Sequence, residues 1–114
     1  MEPKKDFNQM KLPDTVYVEN ILEPYLKDFI FERFRDVVEI QDAVSKDDWK
    51  RVKNLGHRIL GSSGSYGFVD MGTFGKIIED IAECKDKETV LHLAGLMEYH
   101  LKNVNIVFVA EDDT

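Results

Sequence analysis

Apolar residues return every three or four positions through most of this chain, with polar residues in the intervals. After Pro24 the recurring positions are Leu26, Ile30, Phe34, Val37, Ile40 and Val44, the period of a helix with one buried face. A second run carries Trp49, Val52, Leu55, Gly56, Ile59 and Ser63 on one side. Ser45 and Asp48 precede it in the spacing of a capping box, and Gly67 ends it. Asp70 is placed to cap a third helix with the stripe Met71, Phe74, Ile78, Ile81. Asp86 is placed to cap a fourth with Val90, Ala94, Met97, Leu101 and Val104.

Pro24 interrupts the pattern early, which sets off a short helical segment near positions 17–23. The closing "VNIVFVA" alternates somewhat like a strand, but a lone strand has nothing to pair with, so an extension of the last helix is predicted. Short links between long amphipathic helices favour antiparallel neighbours. The expected fold is therefore all-α, an antiparallel up-down four-helix bundle with a short additional N-terminal helix. A polar leader would occupy positions 1–15, the bundle 16–108 and an acidic tail 109–114.

Composition narrows the function. The 114 residues suit one domain, and 43% are hydrophobic, ordinary for a folded chain. No apolar run approaches the roughly 18 residues of a membrane span, and the first residues contain no apolar signal core. The expected location is the cytoplasm, with no membrane partner. One cysteine, Cys84, excludes an internal disulfide. The net charge of -7 argues against nucleic acid, whose binding depends on neutralising phosphates. Against that balance, "KRVKNLGHR" from Lys50 to Arg58 holds four basic residues and no acidic one. Such a patch suits a small anion or an acidic pocket, although a merely solvated basic face reads the same way.

The histidine inside that run is followed by "ILGSSGSYGF", dense in glycine and serine. Helical arithmetic places His57 about 140° from the core direction of its helix, facing solvent. Lys50, Lys53, Gly61 and Gly64 fall within roughly 40° of it. Each helical glycine costs about 1 kcal/mol relative to alanine, and no turn requires Gly61 or Gly64. Bare backbone there would admit a bulky partner. Gly56 faces the core and would permit close helix packing.

Two other chemistries fail. A phosphate-binding loop needs G-x-x-x-x-G-K-[ST] after a strand, whereas Gly75-Lys76 is followed by Ile77 inside a helix. Bundle metal sites use Glu-x-x-His pairs, and no histidine here has a glutamate three residues before it. His92 reads as a surface residue, and His100 as packing or surface. An exposed imidazole flanked by cations suits covalent chemistry on the ring, where a phosphoryl group would be held as a phosphoramidate. A surface histidine without a role stays open.

"LGHRILGSSGSYGF" resembles the signature of histidine-containing phosphotransfer (HPt) domains, and the likeness extends over about residues 20–106. It implies that His57 is the phosphoryl acceptor, Gly61 the glycine that admits the partner, and Ser62 and Ser63 the small positions. The family usually carries a lysine three positions after the histidine; here Leu60 stands there. The phosphoryl oxygens would then be met by Lys53, one turn before His57, or less directly by Arg58, with Lys50 and Gly64 on the same face.

The resemblance further implies a monomeric carrier without a nucleotide site of its own. It would accept phosphoryl from a receiver-domain aspartate, or from a hybrid sensor histidine kinase, and pass it to another response regulator. It would need no cofactor, the Mg²⁺ being supplied by the receiver. Leu60 favours an alternative, a domain that docks receivers without being phosphorylated. The ending "VFVAEDDT" faintly resembles the start of a receiver, which would make this the phosphorylatable part of a larger hybrid or chemotaxis-type kinase. Phe31 and Val38 flank the first long helix, where a wide core stripe is the expected reading and an apolar patch for the receiver the alternative.

Overall fold

The computed structural model describes residues 9–110; the outer parts of the expected leader and acidic tail, positions 1–8 and 111–114, lie outside them. In chain order the elements are strand β1 (Thr15–Glu19), a 3-10 turn (Asn20–Leu22), helix α1 (Glu23–Ser45), helix α2 (Trp49–Ser63), a second turn (Gly64–Tyr66), helix α3 (Val69–Ile81), a third turn (Ala82–Cys84), helix α4 (Lys87–Asn103) and strand β2 (Asn105–Val109). The protein is mostly helical. α2 packs on α1 and α3, and α4 packs on both of these as well. Val37, Ile40, Val52, Ile59, Ile78, Leu93 and Met97, all fully buried, meet in one core. Among the described residues no helix is long and apolar enough to cross a membrane.

The helix starts follow elementary capping rules with two departures. Pro24 sits in the first turn of α1, where its missing N–H would have had no helical partner anyway. Asp48 caps α2 alone, accepting from the Arg51 N–H at 3.2 Å. Ser45 belongs to the end of α1 and turns its hydroxyl onto the Asp42 carbonyl, so no capping box forms. Asp86 caps α4 through the Thr89 N–H. Asp70 lies inside the first turn of α3, two residues past the capping position at Phe68, and acts there as a negative charge near the helix N-terminus. Gly67 ends the α2 segment in the left-handed region (φ 83°), with the Tyr17 carbonyl so close that any Cβ would collide with it.

Both ends of the chain differ from the helical expectation. The short N-terminal segment is β1 and a 3-10 turn, and the predicted helical extension is β2. α4 stops as Val104 turns extended (φ -63°, ψ 138°). β2 then pairs in parallel with β1, Thr15 opposite Asn105 through Glu19 opposite Val109. The partner that the C-terminal strand needed lies at the other end of the sequence. Val16 and Val18 turn inward and are buried, so one face of β1 closes the end of the core.

The buried face of α1 holds Leu26, Val37, Ile40 and Val44 as its apolar period suggested, but departs from it between them. Phe29, Arg33 and Asp36 are buried, while Ile30 and Phe34 are only partly so. Arg33 Nε lies 3.0 Å from Asp36 Oδ2, a charge contact without hydrogen-bond alignment, and Arg33 Nη1 donates to Ser62 Oγ. Arg58 Nη1 donates to Asp36 Oδ1 at 2.9 Å. A charged seam therefore occupies the α1–α2 contact, and the apolar residues are displaced sideways. Phe31 and Val38 consequently stand 61% and 49% exposed, against the core-stripe expectation. With Ile30 and Phe34 they floor an open groove of about 460 Å³.

His100 is core packing, with its ring edge-on to Phe68 at 5.6 Å. Burial lowers its pKa below the ordinary histidine value, against the opposing pull of a Pro13 backbone hydrogen bond and the charges of Asp70 and Asp14. The folded state thus favours the neutral ring. Its contribution to stability is complete above the ordinary value of about 6.5 and is lost as pH falls from there through the depressed value. Denaturant midpoints should accordingly fall between about pH 7.5 and pH 5.5, and His100→Gln should flatten that slope. An unchanged slope in the variant would contradict this assignment.

Candidate functional site

α2 buries Val52, Leu55, Gly56, Ile59 and Ser63, which sends His57 outward with 71% of its side chain exposed. The ring is nonetheless held. Gly56, just before it, and Gly75 on α3 lie against each other where the two helices meet. A Cβ on Gly56 would lie 2.7 Å from the Gly75 carbonyl oxygen and 2.8 Å from the Glu79 nitrogen. One on Gly75 would lie 2.7 Å from the Gly56 oxygen. Only two glycines allow backbones this close. The contact brings Glu79, one turn beyond Gly75, beside His57.

There Glu79 Oε2 lies 2.8 Å from His57 Nδ1, and the carboxylate is only 16% exposed. An ionised carboxylate can only accept, so a contact this close favours the ring tautomer that carries its hydrogen on Nδ1. In the neutral ring Nε2 then carries the lone pair and is the nitrogen left free for chemistry. A carboxylate set against one ring nitrogen in this way favours one tautomer and one ring orientation. Glu79 was not among the residues singled out in the sequence. The signal was present in the pairing of Gly56 with Gly75, since a residue one turn past a close crossing stays on the facing side.

No family model, curated protein or solved structure matches this chain.

The other residues marked by the sequence divide into two groups. Lys53 Nζ lies 3.4 Å from Glu83 Oε1. It lines a small polar pocket of about 280 Å³ together with Lys76, Glu79, Asp80 and Glu83. Lys76 approaches Asp80 Oδ1 at 3.2 Å and Glu79 Oε1 at 3.7 Å. These groups converge on the His57 side of the α2–α3 contact. Arg58 reaches the other way, to Asp36 and Glu39 on α1. Lys50 is exposed.

Leu60 is 37% exposed and presents an apolar side chain one turn after His57. A Cβ on Gly61 or Gly64 would meet nothing within 4 Å. The fold itself therefore does not require glycine at either position, in contrast to Gly56, Gly67 and Gly75. The basic run is also less naked than its sequence suggests. Arg51 pairs with Asp42 at 3.0 Å and Glu39 at 3.4 Å, so acids from α1 and from the turn after α3 neutralise most of it. Among the described residues no three His, Cys, Asp or Glu side chains converge to hold a metal ion.

Proposed function

We propose that this chain is an HPt-type phosphocarrier, an antiparallel up-down four-helix bundle whose His57 takes a phosphoryl group from a receiver-domain aspartate and returns it to another receiver. The observation that carries the reading is the His57–Glu79 pair. An exposed ring meets Glu79 through Nδ1 at 2.8 Å, which leaves Nε2 as the nitrogen without that contact. Gly61 and Gly64, which the fold does not demand, leave flat backbone beside the ring for a partner surface.

In the transfer step the Nε2 lone pair attacks phosphorus of the aspartyl phosphate. The P–O bond breaks, and its electron pair leaves on the donor carboxylate. The ring becomes an N-phosphorylated imidazolium that keeps its Nδ1 hydrogen. The positive charge developing in the ring strengthens the hydrogen bond to Glu79, so this bond stabilises the transition state more than the ground state. In the reverse direction the same imidazolium is the leaving group, and Nε2 recovers its lone pair as the next aspartate attacks. Glu79 therefore serves both directions without being consumed.

A charge-assisted hydrogen bond contributes about 1.5–3 kcal/mol, or roughly 10–100-fold in rate. Glu79→Gln should slow phosphoryl uptake from a phosphorylated receiver by that factor and leave the circular dichroism spectrum unchanged. His57→Gln should abolish uptake. Label on His57→Gln, or none on the unaltered chain, would sink the proposal and favour the receiver-docking domain without phosphorylation that Leu60 suggests.

A further inference from the structure

The phosphoryl group must meet a cation, and the position three residues after His57 offers only Leu60. The polar pocket beside the ring offers two lysines on different elements. Lys53, on His57's own helix, lies 3.4 Å from Glu83, which does not touch the ring's own carboxylate pair. Lys76, on α3, is tied to Glu79 Oε1, the other oxygen of the carboxylate whose Oε2 holds Nδ1. One carboxyl group therefore separates the Lys76 ammonium from the imidazole. Its side chain is 53% exposed, so its four-carbon stem is free to swing toward solvent. The hydrogen bond with Asp80, with the charges of Asp80 and Glu79 behind it, holds the ammonium above the ordinary lysine pKa, so it stays charged at neutral pH.

We propose that Lys76 is the residue that binds the phosphoryl oxygens on His57, contributed by the neighbouring helix in place of a lysine on the histidine's own helix. This rests on the phosphocarrier reading. Before transfer Lys76 is parked on Asp80 and Glu79. Once the phosphoryl group is bonded to Nε2, its two negative charges lie on the solvent side of the ring. They compete with the single charge of Asp80 for the ammonium. Lys76 moves across, Asp80 is released to solvent, and Glu79 stays on Nδ1. Loading the histidine thereby rearranges the ion pairs on the exposed face of α3. A partner can read this as a difference between the charged and uncharged carrier.

The first arm of the test needs no partner. Phosphoramidate transfers its phosphoryl group to imidazole nitrogen with release of ammonia, so the intact chain can be loaded directly and followed by phosphorus NMR. A nearby ammonium stabilises the phosphoryl dianion, whose second ionisation ordinarily lies near pH 6. Lys76→Ala should move that titration upward by about one unit and slow uptake from a phosphorylated receiver about tenfold. Lys76→Arg should restore most of both effects. Lys53→Ala should stay within about threefold, because its ammonium is parked on Glu83 rather than on the ring's own carboxylate. A merely structural role for Lys76 would leave the phosphorus titration unmoved. If the unaltered chain loads at His57 and Lys76→Ala titrates and transfers like it, Lys76 is not the seat although the carrier reading stands. If Lys53→Ala carries the shift instead, the seat belongs to α2. If the chain loads but His57→Gln loads equally, the carrier reading itself fails.

Discussion

Gly75→Ala should weaken both the fold and the transfer chemistry. The added methyl would lie 2.7 Å from the Gly56 oxygen and 2.8 Å from the Leu60 nitrogen. Both are backbone atoms, so no side chain can swing aside to make room. α2 and α3 would have to separate, at an overpacking cost of about 1–3 kcal/mol, offset in part by alanine's better helix propensity. Separation also moves Glu79 away from Nδ1, because both contacts depend on the same crossing. The variant should unfold at lower denaturant concentration and, under conditions where it remains folded, transfer phosphoryl at the slow rate of Glu79→Gln. Gly61→Ala is the internal control, since its methyl enters open space. It should keep or raise stability, and any loss of transfer it shows must arise at the partner surface. Equal stability of Gly75→Ala and the unaltered chain would mean that the close crossing is not needed.

Asp36→Ala should be the most destabilising single change. The Asp36 side chain is 1% exposed and lies between Arg33, itself 8% exposed, and Arg58. Removing it leaves the Arg33 guanidinium buried with Ser62 and the Phe29 ring, 5.5 Å away, as its remaining partners among the described residues. Breaking one side of a buried pair costs about 3–5 kcal/mol. The carboxyl group is no simple gain in its own right. Burial raises its pKa above the ordinary value, outweighing the opposing pull of Arg33 and Arg58. Its own contribution is therefore fullest in acid and is lost as pH rises through the raised value. Replacing both partners with apolar residues, Arg33→Met with Asp36→Leu, should recover most of the loss. Urea denaturation of the single and double variants measures this directly. A loss below about 1 kcal/mol in Asp36→Ala would contradict the seam as a buried charge pair.

The same seam marks where sequence pattern stops being informative. Along α2 the periodic residues are the buried ones, and His57 stands outside them as the arithmetic required, because that helix is apolar toward its neighbours and polar toward water. Along α1 the rule places Leu26, Val37, Ile40 and Val44 correctly and fails at the positions between them. Arg33 and Asp36 are buried by each other and by Arg58, and a period drawn through apolar residues cannot register partners on another helix. Ile30 and Phe34 were counted inward, and Phe31 and Val38 were left over as flank. β2 failed for a related reason. Its alternation was visible, but Thr15–Glu19 was not recognisable as its partner. A parallel pair joins segments with no local signal of each other.

In the candidate site, the exposure of His57 was legible and its neighbours on α3 were not. His57, Gly61 and Gly64 share one helix, so a single periodicity relates them. Glu79 and Lys76 come from α3, and their distance from the ring depends on the Gly56–Gly75 crossing. Lys53 and Arg58, chosen for their charge and spacing, prove to be committed to Glu83 and Asp36. The sequence shows which side chains carry charge; it does not show which acids have already answered it.

The central claim is that Nε2 of His57 carries the phosphoryl group, and the most direct test is to locate that group. The uniformly nitrogen-labelled chain would be exposed to a receiver domain phosphorylated on its aspartate, with Mg²⁺ present, and examined by phosphorus and nitrogen NMR. The expected result is one acid-labile, base-stable phosphoryl group bonded to Nε2 of His57, with the hydrogen on Nδ1 retained and donated to Glu79. Phosphate on Nδ1, on another residue, or nowhere on the chain would contradict it.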